Sequence, residues 1–251
     1  MSGHSKWATT KHQKGAKDKA RGKLFAKLIR QVEVAAREGG GDVNANATLR
    51  TMFQKARDAS VPLDTIERAV KRGTGELEGV RYEAISYEGY AHGGVAVIVE
   101  TLTDNRNRTG AEVRALFSRN GGSMAEPGAV AWQFARKAVV SVPHSVAEDD
   151  LMGVVLEAGA EDLADEGELW VLTAEPTLLG GLRSALEEAG IPIDSAEVQL
   201  LPTSVVEVNE EGEAKKVLRL LELLEDHDDV QNVVANFDIP DAVLEKVAVD
   251  A

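Results

Sequence analysis

The hydrophobic periodicity of this chain changes once, near Gly79, and this change limits the folds that the sequence can adopt. Before Gly79, apolar residues such as Leu24, Leu28 and Val32 recur every three or four positions, which is typical of one face of a helix. After it, short runs rich in β-branched and aromatic residues alternate with helical stretches. The pattern predicts an α+β protein that begins with a small helical bundle.

Three helices are predicted in the first part of the chain. The first starts near Lys19 and ends at residues 39–41, because glycine accepts the left-handed backbone that closes a helix. Two shorter helices are predicted at 44–59 and 63–72, separated by a turn at 60–62. This pair leaves open a degenerate helix-turn-helix. Its basic residues near a DNA groove would be Arg68, Lys71 and Arg72.

Residues 138–202 follow the order strand, helix, strand, strand, helix, strand, which is that of a ferredoxin-like unit. Residues 82–134 supply a hairpin, a helix and a strand, and the C-terminal tail supplies two strands and a helix that complete a similar sheet. We therefore predict a helical bundle followed by two ferredoxin-like α+β domains, the last inserted in the middle one. The predicted domains are 1–79, 80–137 plus 203–251, and 138–202.

Two local features are predicted in the middle domain. Its helix is expected to begin at Thr109, because Thr109 and Glu112 have the spacing of a capping box. A strand is expected at 129–134.

Charge is distributed unevenly along the chain, whose net charge is −14. Residues 1–30 contain nine Lys and Arg against one acid, whereas residues 138–251 contain five against 27. Four cations of the first helix lie within about 80° of arc, on a face away from its apolar residues. We call them the basic stripe: Lys19, Lys23, Lys27 and Arg30. An acidic protein can bind a polyanion through such a basic end, with its acidic part turned away.

The composition excludes several classes of protein. The absence of cysteine excludes disulfides, thiolate chemistry and Cys-ligated zinc. The longest aliphatic run, residues 95–99, is far shorter than the ~20 residues that cross a bilayer. The first fifteen residues contain no apolar run of a secretory signal. We therefore expect a cytoplasmic protein with no membrane partner.

No catalytic, cofactor or metal motif is recognisable in the sequence. Residues 15–23 lack the spacing and the Ser or Thr of a phosphate-binding loop, and no nucleophile elbow occurs. No histidine pair has metal-ligand spacing on a helix, and the acidic clusters lack the spacing of a calcium loop. We expect a protein that is not an enzyme and that uses neither cofactor nor metal.

One loop is a candidate anion site because two guanidinium groups and two amides precede a helix N-terminus, where unpaired N–H groups favour an anion. Its residues are Asn105, Arg106, Asn107 and Arg108. An equally weighted alternative is that Asp104 closes an Asx turn and the arginines pair with carboxylates such as Glu112.

Nucleic acid is the partner that the basic end predicts. Trp7, Tyr87 and Tyr90 are candidates for stacking on unpaired bases, and Trp7 is the strongest because nothing apolar surrounds it in the sequence. The candidate contacts are His4, Lys6, Trp7, Lys11, His12, Lys14, Lys17, Lys19, Arg21, Lys23, Lys27 and Arg30.

Several motifs occur in the order found in one known family. They are Gly3-His4-Ser5-Lys6-Trp7, Arg21-Gly22-Lys23, Gly39-Gly40-Gly41-Asp42, residues 66–73, Tyr87-Glu88-Gly89-Tyr90 and Thr103-Asp104-Asn105-Arg106-Asn107-Arg108-Thr109. On these motifs the chain resembles the YebC/PmpR family along nearly its whole length. It departs from that pattern at Ala91-His92, where Gly-Pro is common, and at Ala129, where serine is common.

The resemblance implies a three-domain cytoplasmic protein without enzymatic activity. Bacterial members of the family are named as DNA-binding transcriptional regulators. The mitochondrial relatives, among them the translational activator of cytochrome oxidase subunit one, and some bacterial members resemble ribosome-associated translation factors. Both descriptions require a basic head.

Three functions therefore remain open. The first is a DNA-binding transcriptional regulator, and the second is a translation factor that binds ribosomal RNA or the ribosome. The third is an acidic protein-interaction module, in which residues 138–201 bind a basic partner. No long heptad or exposed apolar strip indicates a dimer, so we expect a monomer.

Overall fold

The computed structural model describes the backbone of residues 17–249 and the side chains of residues 22–247, and the α+β class is confirmed. Three helices come first, and two four-stranded sheets with helices packed on them follow. In chain order the elements are α1 (Lys17–Gly39), α2 (Ala47–Asp58), α3 (Leu63–Thr74), β1 (Glu83–Tyr90), β2 (Ala96–Thr103), α4 (Arg106–Arg119), β3 (Ser123–Met124), β4 (Phe134–Pro143), α5 (Glu148–Glu157), β5 (Asp162–Asp165), β6 (Leu169–Ala174), α6 (Leu179–Glu188), β7 (Ser195–Pro202), β8 (Val206–Glu207), α7 (Glu211–Glu225), β9 (Val230–Ala235), β10 (Phe237–Asp238) and α8 (Asp241–Val249).

The three N-terminal helices bury one apolar core, and α1 lies against both α2 and α3. Asn46 joins two of them, because its side chain caps α2 at Leu49 and donates to the carbonyl oxygen of Ala35 near the end of α1. Gly73 lets α3 approach α1 closely, since a Cβ there would lie 2.4 Å from the carbonyl oxygen of Glu33.

The middle sheet has the strand order β3-β1-β2-β9 and is antiparallel throughout. Helices α4 and α7 contribute Val113, Phe117 and Leu221, among others, to the core that lies against β2 and β9. Strand β9 therefore completes a sheet that begins more than a hundred residues earlier in the chain.

The second sheet, between β3 and β8 in the chain, has the order β5-β6-β4-β7, all antiparallel, with α5 and α6 packed on it. This is the strand order of a ferredoxin-like βαββαβ unit. The middle sheet instead starts with its hairpin, so its chain order is ββαβαβ. In the part of the chain that the structure describes, no helix combines the length and apolar character needed to span a bilayer.

Two local predictions were wrong. Helix α4 begins at Arg106 with Asn105 as its N-cap, so Thr109 lies inside the helix and is buried. The strand predicted at 129–134 does not form. Residues 131–133 make one turn of 3₁₀ helix, and β4 starts only at Phe134 and continues to Pro143.

The buried carboxylate of Glu88 explains the missing strand. It accepts hydrogen bonds from the backbone N–H groups of Gly128, Val130 and Ala131 at 2.6–2.9 Å. These donors are then unavailable to a strand ladder. Burial raises the pKa of Glu88, but the three backbone hydrogen bonds outweigh burial and hold the pKa below its ordinary value. The loop at 125–133 is therefore tied to β1.

We expect Glu88→Gln to lower the free energy of unfolding at pH 7 by about 1–3 kcal/mol, because the amide is neutral and turns an NH₂ group toward N–H donors. The folded pKa of Glu88 is depressed, so its contribution is present above the unfolded pKa and is lost as the pH falls through the folded pKa. Urea denaturation over a pH series should therefore show the difference between the two proteins shrinking below about pH 4.

Glu83→Gln is the matched control, since Glu83 is exposed on the same strand. It should change the free energy of unfolding by less than about 0.5 kcal/mol at every pH. A Glu88→Gln difference that stays constant with pH would show that the charge of Glu88 is not what stabilises the loop.

Candidate nucleic-acid interface

Most of the predicted arm lies outside the described residues. This applies to His4, Lys6, Trp7, Lys11, His12 and Lys14. Lys17, Lys19 and Arg21 lie on α1, but their side chains are outside the described part of the chain. The structure therefore describes three of the twelve predicted nucleic-acid contacts: Lys23, Lys27 and Arg30.

These three cations contact the last residue of α7 and the turn that leads to β9, residues 225–229, which we call the acidic loop. Lys23 Nζ donates to the backbone oxygen of Asp226 at 3.0 Å and to its carboxylate. Lys27 Nζ donates to the backbone oxygen of Glu225 at 2.9 Å. The described part of the basic stripe is thus covered by the protein's own acidic segment, and the expectation that this segment turns away was wrong.

Arg30 extends the same contact. Its Nη1 donates to the backbone oxygen of Asp228 and lies 3.3 Å from the Asp229 carboxylate, and its guanidinium lies 5.5 Å from the centroid of the Tyr82 ring. The loop residues that α1 contacts are about 200 residues distant from it in the sequence. Helical periodicity could therefore identify the stripe but not what covers it.

Lys27 lies at the centre of this contact. Burial lowers its pKa, the neighbouring charge of Lys23 lowers it further, and Asp226 acts in the opposite direction. The lysine is accommodated because its ammonium group also reaches a carbonyl oxygen at the C-terminal end of α7, where the helix dipole favours a cation.

Asp229 anchors the acidic loop to the start of α4. The residue is 4% exposed, and its carboxylate accepts from Thr109 Oγ1 and from Arg108 Nη2, both at 2.7 Å. Burial raises the pKa of Asp229, but the hydrogen bonds from Thr109 and Arg108, with the charges of Arg108 and Arg30, lower it further than burial raises it. Asp229 is therefore held ionised.

In the predicted anion loop, the alternative with internal pairing holds for one arginine. Arg108 binds Asp104 at 2.9 Å and Asp229 at 2.7 Å, and Asn105 is the N-cap that accepts the backbone N–H of Arg108. Arg106 and Asn107 are exposed, and Arg106 makes no ion pair with any residue whose side chain the structure describes. The loop therefore retains one cation that is available to an external anion.

Helix α4 carries two further arginines that the sequence analysis did not select. Arg114 and Arg119 are exposed, and neither forms an ion pair within the described range. The signal was present in the sequence, because α4 contains four arginines and a single acid, Glu112. With Arg106 they are three exposed cations of α4, spread over about 220° of arc and so not gathered on one face.

The predicted stacking residues differ in exposure. Tyr87 and Tyr90 are half-buried, and their hydroxyl groups donate to the backbone oxygens of Arg106 and Ala129. Among the aromatic side chains that the structure describes, the exposed one is Trp132, which is 72% exposed and follows the backbone that Glu88 holds. Its indole N–H donates to the backbone oxygen of Ala129 at 3.1 Å, and this hydrogen bond orients the ring.

The second and third helices do form a helix-turn-helix pair, with Ser60 in the left-handed region between them at φ 63°. One basic residue of α3 is engaged, because Arg72 binds the buried Glu33 at 2.9 Å. Arg68 lies 3.5 Å from Asp64 in an exposed pair, and Lys71 is exposed as well. Two of the three cations of α3 therefore remain on the surface.

A cleft of about 620 Å³ lies between α1, α4 and the acidic loop. Five carboxylates and three cations line it, so it is unsuited to an anion. Glu112, His227 and Asp229 have metal-ligand atoms within 4.8 Å of one another. His227 Nδ1 accepts from the Asp229 backbone N–H, which leaves the proton on Nε2 directed at Glu112 at 2.9 Å. Because the Asp229 carboxylate is paired as well, the cluster is self-satisfied.

Comparisons with known proteins agree with this architecture. Residues 5–76 match the model of the TACO1/YebC protein N-terminal domain, and residues 82–237 match that of the TACO1/YebC second and third domain. A crystal structure of a conserved hypothetical protein from Aquifex aeolicus, 46% identical, superposes with a TM-score of 0.83 over 91% of this chain and 95% of that one.

Curated relatives align along the full length of the chain. A protein of Beutenbergia cavernae is 57% identical over 100% of both chains, and one of Halothermothrix orenii is 51% identical over 98% of this chain and 99% of its own. Both carry the name probable transcriptional regulatory protein. With its three domains matched in order, this protein belongs to the TACO1/YebC family.

Proposed function

We propose that this protein is a non-enzymatic, nucleic-acid-binding regulator of gene expression, and that transcriptional regulation through DNA is its first candidate role. The observation that carries the proposal is the segregation of charge. Nine Lys and Arg against one acid occupy residues 1–30 of a chain whose net charge is −14. Such an end attracts a polyanion although the molecule as a whole is acidic.

Two further observations support the proposal. The exposed arginines of α4, Arg106, Arg114 and Arg119, add positive charge outside the N-terminal part of the chain. The names of the full-length relatives describe transcriptional regulation. In this proposal Lys and Arg contact phosphates, which supplies affinity but little sequence choice.

A second candidate is a translation factor that binds RNA or the ribosome. Two observations favour it. Arg72 of α3 is bound to the buried Glu33, which leaves two of the three cations that a DNA groove could contact on that helix. Trp132 is exposed on a fixed loop, and an indole ring stacks on unpaired bases, which folded RNA offers and duplex DNA does not. Ribosome co-sedimentation with crosslink mapping, compared with genome-wide DNA occupancy after ribosome depletion, decides between the two candidates.

The arm gives the first prediction. We expect replacement of Lys6, Lys11, Lys14 and Lys17 by Gln to weaken nucleic-acid binding and to flatten the slope of log K against log salt. The magnitude of this negative slope should fall by about 4 for duplex DNA or by about 3 for single strands, because each phosphate contact releases counterions. Fluorescence anisotropy with labelled DNA and RNA between 50 and 200 mM salt, roughly the range in which such contacts are lost, measures both.

A variant with the same net charge is the control. Gln at Arg183, Lys216, Arg219 and Lys246 removes four exposed cations from the acidic part of the chain. Its slope should match that of the unmodified protein. Equal effects of the two sets would mean that net charge, and not the arm, governs binding.

Trp132 gives the prediction that separates the two candidates. Under the RNA candidate, Trp132→Ala should weaken binding to a hairpin RNA with an unpaired loop by about 1–3 kcal/mol and leave duplex DNA binding unchanged. Trp132→Phe retains an aromatic face and should recover most of the loss. If the alanine variant binds loop RNA as tightly as the unmodified protein, Trp132 is not a stacking residue.

A further inference from the structure

The contact between α1 and the acidic loop affects whether the basic stripe is accessible to nucleic acid. We infer that residues 225–229 compete with nucleic acid for the basic stripe, so that the described arrangement is a closed form and binding through the stripe requires α1 to leave the loop. This inference rests on the proposed function and concerns the regulation of the same surface.

The loop offers the stripe the ligand chemistry of a phosphate backbone. Lys23, Lys27 and Arg30 each donate to a backbone oxygen, and the carboxylates of Asp226 and Asp229 add negative charge. Phosphates bind the same ammonium and guanidinium groups through anionic oxygens. The N–H donors that now bind the loop would therefore have to release it before they bind a polyanion.

The positions of the three cations make the loop an obstacle to nucleic acid. The side chains of Lys23 and Arg30 are 29% and 22% exposed, and Lys27 lies between them with its Nζ against the end of α7. A phosphate oxygen must come within hydrogen-bond distance of these nitrogens. To use the N–H donors that now bind Asp226, Glu225 and Asp228, it must replace the oxygens of the loop.

The loop remains supported when α1 leaves it. Asp229 keeps its two 2.7 Å hydrogen bonds from Thr109 and Arg108, and the backbone N–H of Asp229 still donates to His227. No buried carboxylate is left without a partner, which is the usual large cost of breaking a buried ion pair. Of the pairs that break, Lys23–Asp226 lies at the exposed edge, where single ion pairs contribute little, and Arg30–Asp229 leaves a carboxylate that Arg108 still binds. Two forms of similar free energy are therefore compatible with these contacts.

A closed form lowers apparent affinity by the fraction of molecules that are open. The first experiment shifts that fraction. Asp226→Asn with Asp228→Asn removes two negative charges that face Lys27. Anisotropy titration should show several-fold tighter binding of labelled DNA or RNA, with a salt slope steeper by about 2–3 as three more cations reach phosphates.

The control for general charge is Glu222→Gln with Glu245→Gln. Both residues are acidic and exposed, and neither contacts the described cations of α1. This variant should keep the salt slope of the unmodified protein. If it tightens binding and steepens the slope as much as the loop variant does, the inference is overturned.

The second experiment locks the closed form without touching a cation. Gln31 on α1 and Gln231 on β9 are hydrogen-bonded at 3.3 Å, and the chain contains no cysteine. Cysteines at both positions can be bridged by a short bismaleimide. The bridged protein should bind several-fold more weakly than the same double variant capped with a monofunctional maleimide, because the locked molecule can no longer populate the open form.

The results also distinguish the inference from the function on which it rests. If the capped protein binds nucleic acid and the bridged protein binds it equally well, the stripe is not a competing surface, while the proposed function stands. If the unmodified, capped and loop-variant proteins all fail to bind DNA and RNA, the proposed function and the inference are overturned together.

Discussion

A single buried carboxylate, that of Asp229, determines where the charged parts of this molecule meet. It accepts from Thr109 and Arg108 at the start of α4 and lies beside Arg30 of α1, so it joins segments that are more than a hundred residues apart. Removing the partners of a buried charge costs about 3–5 kcal/mol. The acidic loop is therefore fixed on the middle sheet and its helices, and the position of α1 follows from the loop.

The contact between α1 and the loop is a consequence of segregating charge within one chain. The basic end and the acidic remainder are connected, so they meet at the high effective concentration of an intramolecular reaction. Each exposed pair is worth little alone, and salt screens it. Backbone oxygens at the end of α7 supplement the carboxylates and give the contact a defined geometry. Such a contact has a defined position but a small free energy, which is compatible with a surface that we propose also binds nucleic acid.

Local periodicity was enough to predict the three N-terminal helices and the βαββαβ order of the second sheet, since both depend on residues close in the sequence. It failed where a side chain distant in the sequence decided the backbone. Glu88 accepts hydrogen bonds from the N–H groups that a strand at 129–134 would use. Asn105 and not Thr109 is the N-cap, because Thr109 is buried and donates to Asp229. The basic stripe was visible as a pattern, but its partners were not. The exposure of Trp132 had no signal in the sequence.

Competition for the same cations also changes how salt dependence is interpreted. When a phosphate replaces the acidic loop at Lys23 or Arg30, cations are released from the nucleic acid while the freed carboxylates of the loop attract cations in turn. The two effects oppose each other, so the salt slope of the intact protein underestimates the number of phosphates it contacts. Counting contacts from that slope alone would assign binding to the arm and to α4 and would leave the stripe out, even if the stripe takes part.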